Sequence, residues 1–436
     1  MKKWLLACAG LLVSLLLVLP LAMGIALEQA AKILVQGLAD TPAVGLGASH
    51  FERGYSSSQL SLELNPLLDG AHQKLNLQVH FRQGPLLIGS NSAFGLMGVT
   101  LDLKAAPSAQ LQSSTEESLY HLDGTLDLKG EGRFTDRYTP LSLNLSTGRG
   151  QWSRGEGAGR VNWQAKRLDY EGRLSQLSWQ SANFSLNLAD TQIAKQVTLQ
   201  PEGLSWFTRV AFKALNAQVQ EDQYWLQRGA LGISGQLSGG TPKAERAWHA
   251  SLVAEEFKSK TLQLASLDAN LALDQVPAEG LIPLAALVVS PEPPEVFAEQ
   301  AYEVAQQYLK PAAGFVIERL GAVQEDKPFW LSGRVELAPL ADLPKDAWRT
   351  PAQVLSQLTG TAEIHLDKTL LPLWAKGYIE AANTGQPSLS SAQLEVLAKA
   401  FVGQGMLTDA GVQYSCNLRF KAGELSLNDK PLVLPF

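Results

Sequence analysis

The sequence predicts a mainly β protein with added helices, an α+β fold class, and three observations lead to this prediction. Apolar and polar residues alternate with a period of two from residue 48 to about residue 275. An uncharged apolar run, Trp4–Ile25, precedes them, and helical spacing interrupts the alternation near residue 280. We therefore expect an N-terminal transmembrane helix, a long antiparallel meander of strands and a C-terminal lobe of helices and strands. The meander is compatible with a curved open sheet, an open barrel or stacked hairpins.

The N-terminal run has the properties of a membrane anchor. Lys2 and Lys3 precede it and Glu28 follows it, and about 20 apolar residues are enough for a helix to cross a bilayer. The two lysines predict that the N-terminus stays in the cytoplasm. The sequence thus predicts membrane attachment through residues 4–25, a single pass through the bacterial inner membrane and the bulk of the chain in the periplasm.

A cleaved signal peptide is the alternative interpretation of the same run. Gly24 and Ala26 have the small-residue spacing that a signal peptidase uses. The apolar core of a signal peptide usually has about 7–15 residues, and this run is longer. The length favours a retained anchor.

Helical spacing identifies three further segments. Residues 27–40 have apolar residues at helical intervals directly after the anchor, and residues 290–323 do so after a proline-rich break. Residues 390–405 have Ser390 or Ser391 as a candidate N-cap and Gly403 or Gly405 as a candidate end. A terminal hairpin follows, with the turn at "KAGE".

These patterns predict four segments along the chain. An anchor over residues 1–26 leads into a helical stalk and linker over 27–47. A β-rich periplasmic domain covers 48–280, because glycine-rich turns there separate strands closely enough for an antiparallel meander. An α+β lobe covers 281–436.

Composition and charge exclude some partners. The chain has 436 residues, of which 18% are charged, and a formal net charge of -6. A nucleic-acid binder needs a basic face that displaces counterions from phosphates, so we expect no nucleic-acid partner. Cys8 lies in the apolar run and Cys416 in an alternating segment, so we expect no intramolecular disulfide and a buried Cys416.

The sequence contains none of the catalytic or ligand-binding spacings that we searched for. Its six histidines stand far apart, and the glycine-rich residues 147–161 have neither the phosphate-loop order nor the dinucleotide-binding order. We therefore expect no enzyme, no catalytic residue, no cofactor and no metal site. One hydrolase hypothesis remains, in which His50 activates a serine among Ser56–Ser58, and it lacks an acid partner.

The stretch "FERGYSSSQL", residues 51–60, has an unusual pattern. Phe51 and Tyr55 have odd numbers, whereas the next apolar residues, Leu60 and Leu62, have even numbers. One continuous strand can keep both sets on one face only if it shifts by one residue between them. The pattern thus predicts a β-bulge or a tight bend at the glycine and serines.

Three motifs resemble those of the YdgA-like family of bacterial envelope proteins, which is a domain of unknown function. "RGYSSS" resembles the family's "RGWFSS", with Tyr55 in place of Trp and Ser56 in place of Phe. "VHFRQGPLL" resembles a strand that ends in Gly-Pro-Leu, with Gln83 where His is common. Residues 402–431 resemble the C-terminal pattern, with Asp429 in place of a Gly. The resemblance implies an inner-membrane-anchored periplasmic protein, and no enzyme activity is established for the family.

Two functions fit these observations. The first is a non-enzymatic envelope protein that acts through contacts with a second copy of itself, another envelope protein or other envelope components. The alternative is a lipid-binding or lipid-transfer protein, since AsmA-like envelope proteins have a similar general layout. A sheet with one apolar face could shield acyl chains from water.

Overall fold

The computed structural model describes the chain in these ranges: 20–39 except 21 and 37, 45–68, 71–84, 96–106, 108, 110–113, 118–127, 129–182, 184–200, 203–219, 222–238, 247–260, 262–274, 303, 314–337, 358–370, 391–421 and 424–432. The described chain is mainly antiparallel β-sheet, which confirms the predicted fold class. It forms two compact units, the first made of Met1–Leu199 and Thr208–Gln223 and the second of Gln200–Phe207 and Tyr224–Phe436.

The first unit contains a helix, α1, over residues 22–36, with residues 20, 38 and 39 also helical. Its strands are β1 (Leu46–Arg53), β2 (Ser57–Leu64), β3 (Leu67–Leu68), β4 (Ala71–His72), β5 (Leu75–Gln83), β6 (Met97–Ala105), β7 (Leu111–Ser113), β8 (Tyr120–Leu126), β9 (Glu131–Tyr138), β10 (Leu141–Leu145), β11 (Gly148–Trp152), β12 (Gly155–Asn162), β13 (Arg167–Gln180) and β14 (Phe184–Gln200). Two long strands, β15 (Gly203–Val219) and β16 (Asp222–Ser238), contribute residues to both units.

The strands of the first unit form a meander. The order of neighbours is β1, β2, β5, β6, β8, β9, β12, β13 and β14, and every pair is antiparallel. The short β3 and β4 form a separate hairpin. β7, β10 and β11 continue the sheet beside the second half of β13.

Apolar and polar residues alternate along β2 and β5, and the apolar side chains form the core of this unit. Leu60 and Leu62 are each 2% exposed, and Val79 pairs with Leu60 across the strands. Ala31 of α1 packs on them, as do the partly buried Val35, Leu38, Phe51, Phe81, Val99 and Leu101. Burial of each leucine side chain stabilises the fold by about 2 kcal/mol. The helix thus covers the apolar face of the first strands.

The second unit continues with strands and one described helix. Its strands after β16 are β17 (Ala247–Ala254), β18 (Glu256–Ser259), β19 (Gln263–Leu264), β20 (Ser266–Asp274), β21 (Gly314–Gln324), β22 (Lys327–Leu337), β23 (Leu358–Asp367), β24 (Thr408–Asp409), β25 (Gln413–Lys421), β26 (Glu424–Leu427) and β27 (Lys430–Leu432). Helix α2 is Ser391–Gly403. The order of neighbours is β16, β17, β20, β21, β22, β23, β25, β26 and β27, again antiparallel throughout.

The register of the second unit places apolar side chains on one face across all these central strands. One row of paired residues is Ile233, Ala250, Leu271, Ile317, Gly333, Ala362, Leu418 and Leu427. The next row is Gly235, Trp248, Leu273, Phe315, Val335, Gly360, Phe420 and Leu425. We call these two rows the apolar face of the second unit.

The predictions for the C-terminal segments had mixed outcomes. Helix α2 and the terminal β25–β26 hairpin are confirmed. Gly405 has a φ of +73°, its N–H donates to the Val402 carbonyl, and the Met406 N–H donates to the Phe401 carbonyl, so the helix ends in a Schellman motif. The predicted helix over 290–323 is wrong in its last part, because 314–324 form β21. Residues 290–313 lie outside the described residues, except 303.

Of the two structures predicted within residues 51–60, the bulge is wrong, and the tight bend at Gly54 and the serines is the turn of a hairpin. β1 ends at Arg53, the chain reverses over residues 54–56, and β2 runs back beside β1 with Phe51 opposite Leu60. The reversal itself brings odd and even residues to one face, so no shift within a strand is needed. A register shift does occur in β1, between Leu46 and Ser49.

Most of the predicted anchor, residues 1–19, lies outside the described residues. Within the ranges given above, no helix is long and apolar enough to cross a membrane. The predicted boundary near residue 280 also falls outside those ranges. The four predicted segments remain predictions.

Candidate functional site: the helix–hairpin junction

The turn between β1 and β2 requires a glycine. The Gly54 N–H donates to the Ser57 carbonyl at 2.8 Å, which closes the turn. A Cβ atom on Gly54 would lie 2.4 Å from that same carbonyl oxygen. Arg53 and Ser58 are paired where the hairpin begins. The first motif therefore forms a tight turn, and Ser58 lies in β2 directly after it.

The second motif lies against the first. The Gln83 N–H donates to the Ser56 carbonyl at 2.8 Å, and the Gln83 Nε2 donates to the Ser58 hydroxyl. Gln83 is 2% exposed and Ser58 is 4% exposed. A buried polar side chain costs free energy unless it is hydrogen-bonded, so each of these two side chains requires the other.

Helix α1 docks on these two motifs. A Cβ atom on Gly24 would lie 3.1 Å from Gln83 Oε1 and 3.3 Å from Arg53 Cγ. Gly84, which follows β5, has a φ of +108°, and a Cβ atom there would lie 2.8 Å from Pro20 Cγ. Both glycines therefore allow the helix and the hairpin to approach closely.

An ion-pair network crosses the same contact. Arg53 Nη1 lies 2.9 Å from Glu28 Oε2, and Lys32 Nζ lies 2.9 Å from Glu28 Oε1. The hydrogen bond from Lys32 and then its charge hold the pKa of the Glu28 carboxyl below its usual range, against an opposing effect of burial and with a further contribution from the Arg53 charge. The Glu28 carboxylate stays ionised at neutral pH and links the helix to the end of β1.

We call this contact the junction: Pro20, Gly24, Glu28, Arg53, Gly54, Ser58, Gln83 and Gly84. Sequence reasoning identified Arg53, Gly54, Ser58, Gln83 and Gly84 through two separate motifs. It did not predict that the motifs touch, and it missed Pro20, Gly24 and Glu28 as their partners. The available signal was weak, because Gly24 shares the apolar run with Gly10, Ser14 and Pro20.

The hydrolase hypothesis is not supported by this geometry. His50 pairs with Ser61 and is exposed, whereas Ser58 is buried and bonded to Gln83. Ser56 offers its carbonyl to Gln83. Among the described residues, no group of three or more His, Cys, Asp and Glu side chains is placed to hold a metal ion.

A second cluster of interest lies on β8, β9 and β13 of the first unit. Asp136 is 2% exposed and accepts hydrogen bonds from the hydroxyls of Tyr120 at 3.1 Å, Tyr138 at 3.0 Å and Tyr170 at 3.3 Å. Burial, and then the Asp136 charge and the neighbouring hydroxyls, raise the pKa values of Tyr120 and Tyr170. Burial raises the pKa of Tyr138 as well. The three phenols therefore remain protonated donors at neutral pH.

This cluster was missed by sequence reasoning, although a signal existed. Phe134, Asp136 and Tyr138 have the same parity in β9, so an acidic residue occupies the apolar face of an alternating strand. Such an acid needs donors, and tyrosines of β8, β9 and β13 provide them. All its described partners are protonated donors, which suits a structural role better than proton transfer.

Comparisons with known proteins give one match. The family model described as a bacterial protein of unknown function, DUF945, matches residues 1–435, which is nearly the whole chain. No curated protein and no solved structure matches the chain.

Proposed function

Because the chain belongs to the DUF945 family of bacterial proteins, we propose that it is a single-pass inner-membrane protein with a β-rich periplasmic body, and that it acts without enzymatic chemistry through contacts with envelope components. The junction is the observation that carries this proposal. It joins helix α1, which begins within the apolar run, to the first hairpin of the body through the close approach of Gly24 to Arg53 and the ion pair between Glu28 and Arg53.

The contacts of helix α1 with the sheet would fix the orientation of the body relative to the membrane. A flexible linker would leave the body free to turn, whereas close glycine contacts and the Glu28–Arg53 ion pair hold the helix in one direction. The run Trp4–Ile25 and helix α1 share residues 22–25, and Lys2 and Lys3 predict the orientation. An anchored protein that presents a fixed surface to the periplasm follows from this arrangement.

We propose no enzymatic chemistry because the buried Ser58 and Asp136 side chains are hydrogen-bonded to other residues of the fold. Ser58 is bonded to Gln83, and the Asp136 carboxylate is bonded to three phenols. A catalytic group needs a lone pair or proton aimed at substrate, whereas the Ser58 oxygen and the Asp136 carboxylate accept hydrogen bonds within the fold.

Cell fractionation followed by mass spectrometry tests this proposal. We expect the protein in the inner-membrane fraction, resistant to high salt and released by detergent, with its N-terminal peptide intact. A protein in the soluble periplasmic fraction that begins near residue 27 would show that the run is a cleaved signal, and the proposal would be wrong.

Lipid binding is the second candidate function, and the apolar face of the second unit favours it. Ile233 is 50% exposed, Phe315 is 38% exposed and Val335 is 36% exposed, and all three belong to that face. An acyl chain that covered such side chains would gain about 25 cal/mol for each Å² of apolar surface removed from water.

Native mass spectrometry of the detergent-purified protein tests lipid binding. We expect co-purified phospholipid in the natural protein and a loss of most of it in Ile233→Glu. Ser234→Glu is the matched control, because this neighbour points to the opposite face and pairs with His249. Equal amounts of lipid in all three proteins, or none in any, would exclude this candidate.

A further inference from the structure

Two residues of the apolar run take part in the junction. A Cβ atom on Gly24 would lie 3.3 Å from Arg53 Cγ, and a Cβ atom on Gly84 would lie 2.8 Å from Pro20 Cγ. Pro20 and Gly24 both belong to the run Trp4–Ile25. Because about 20 helical residues cross a hydrocarbon core of about 30 Å, a spanning run reaches the far surface of the bilayer in its last two turns. The strand ends that touch Pro20 and Gly24 then lie at the level of that surface.

The same end of the first unit's sheet extends beyond the helix. The strands are antiparallel, so the turns after β8 and β12 and the end of β14 lie at the end of the sheet where β5 finishes. At about 4.8 Å between neighbouring strands, the six spacings from β5 to β14 add up to about 29 Å. One row of directly paired residues marks this end: Gln83, Met97, Leu126, Gly132, Val161, Leu168 and Val197.

The side chains beyond this row have the composition of a membrane-surface contact. We call them the proximal edge: Tyr55, Lys129, Trp163, Lys166 and Leu199. Trp163 is 73% exposed, Leu199 is 50% exposed and Tyr55 is 49% exposed. Both lysines are exposed, and neither forms an ion pair with a described residue. Trp and Tyr are enriched where a membrane meets water, and lysines there attract anionic headgroups.

Backbone contacts place most of the proximal edge on one continuous surface. The Trp163 N–H donates to the Gly130 carbonyl at 2.8 Å, and the Leu199 N–H donates to the Lys166 carbonyl at 2.9 Å. A Cβ atom on Gly130 would lie 3.3 Å from the Trp163 Cβ. The turn after β8, the turn after β12 and the end of β14 therefore lie side by side.

We propose that the proximal edge rests on the periplasmic surface of the bilayer, with its aromatic side chains at headgroup level and its two lysines against the phosphates of anionic phospholipids. The helix alone holds the body at one point, whereas a second contact at β12, four strand spacings or about 19 Å from β5, prevents the body from tilting. Because headgroups are hydrated, Trp163 stays within reach of water-soluble reagents. This inference rests on the proposed function, since the anchor brings the edge to the bilayer.

Fluorescent labels on single cysteines measure the depth of this edge. Ala165→Cys, in the turn after β12, and Ala182→Cys, in the turn after β13, are made in a Cys8→Ser Cys416→Ala background. Both alanines are exposed, and they lie at opposite ends of β13, whose 14 residues span about 46 Å. The full chains are purified from membranes and reconstituted into vesicles of phosphatidylethanolamine and phosphatidylglycerol that contain a lipid with a nitroxide quencher on its headgroup.

We expect the nitroxide to quench the label of Ala165→Cys several-fold more than that of Ala182→Cys. Quenching at Ala165→Cys should fall when phosphatidylcholine replaces phosphatidylglycerol, because the anionic lipid is lost. It should also fall in Trp163→Ser and in Lys129→Gln Lys166→Gln. Phe184→Ser is the matched control for the aromatic change, because Phe184 is 37% exposed at the opposite end of β13. It should leave the quenching unchanged.

Four outcomes would overturn the proposal in distinguishable ways. Weak quenching of both labels in membrane-bound protein shows that strand twist carries the edge away from the bilayer. Equal, strong quenching of both shows that the body has no fixed orientation. Quenching that Trp163→Ser and the lysine changes leave intact shows that the helix alone holds the edge there. Protein found only in the soluble fraction, without its N-terminal peptide, shows instead that the anchor and the proposed function are wrong.

Discussion

At the scale of single residues, Asp136 shows how one polar side chain organises an otherwise apolar face. Its carboxylate lies beneath three tyrosine rings that belong to three different strands. Gly157 and Gly172 make room for one of those rings, since a Cβ atom on either would lie within 2.5 Å of the Tyr170 hydroxyl. The tyrosines, the glycines and the acid therefore depend on one another.

Removal of the carboxylate should destabilise the first unit strongly. Asp136→Ala leaves the phenols without their shared acceptor, and we expect a loss of about 3 kcal/mol in the free energy of unfolding. Urea unfolding measures this as a lower midpoint. Glu156→Gln, an exposed change on neighbouring β12, should stay within about 0.5 kcal/mol. An unchanged midpoint for Asp136→Ala would contradict the structural role of the cluster.

At the scale of elements, the contact of α1 with the first hairpin depends on small residues. Gly24→Val places methyl groups where Gln83 Oε1 and Arg53 Cγ already lie within 3.3 Å of a Cβ atom. Overpacking of this kind costs about 1–3 kcal/mol. The unfolding midpoint should fall accordingly, whereas Ala26→Val on the opposite side of the helix should leave it nearly unchanged. Equal midpoints for the two variants would argue against a close contact.

The ion pairs of the junction should make its stability depend on pH. The pKa of Glu28 is lowered in the folded protein, so its ionised form adds stability above the unfolded value of 4.5. That stability is lost as the pH falls through the lower folded pKa. Glu28→Gln should therefore be less stable than the natural protein at pH 7, and the difference should shrink as the pH falls below 4.5. Measured unfolding midpoints from pH 7 to pH 3 give the comparison.

Glu52→Gln is the control for that experiment. Glu52 is exposed and pairs with Gln59 across the hairpin. Its difference from the natural protein at pH 7 should be small, because Glu52 is exposed. A parallel response of the two variants would mean that the Glu28 pairs add no specific stability.

At the scale of the whole molecule, the proposed topology predicts which cysteines a membrane-impermeant reagent can reach. Trp163, in the turn after β12, is 73% exposed. Trp163→Cys should be labelled once the outer membrane is permeabilised, whereas Lys3→Cys should be labelled only after the inner membrane is broken. Both are made in the Cys8→Ser Cys416→Ala background. Labelling of both cysteines at the first step would contradict the single-pass orientation.

Local pattern accounts for much of the fold. Period-two alternation predicted the strands of both units because each strand has one packed face and one polar face. It could not separate helix from strand in "GFVIERLGAV", since Phe315, Ile317 and Leu320 fit both spacings over a short stretch. Pairing with β20 and β22 decided that segment.

The sequence by itself determined the alternating strands and helix α2 with the glycine that ends it. Three motifs also determined the family. Only the tertiary structure decided that Arg53, Ser58 and Gln83 meet beneath α1, and that Asp136 gathers three tyrosines. The physical reason is that periodicity and turn chemistry act between near neighbours, whereas these contacts depend on the register between strands that are distant in sequence. A bulge and a hairpin have nearly the same local pattern, and the cross-strand partners of Phe51 and Leu60 distinguish them.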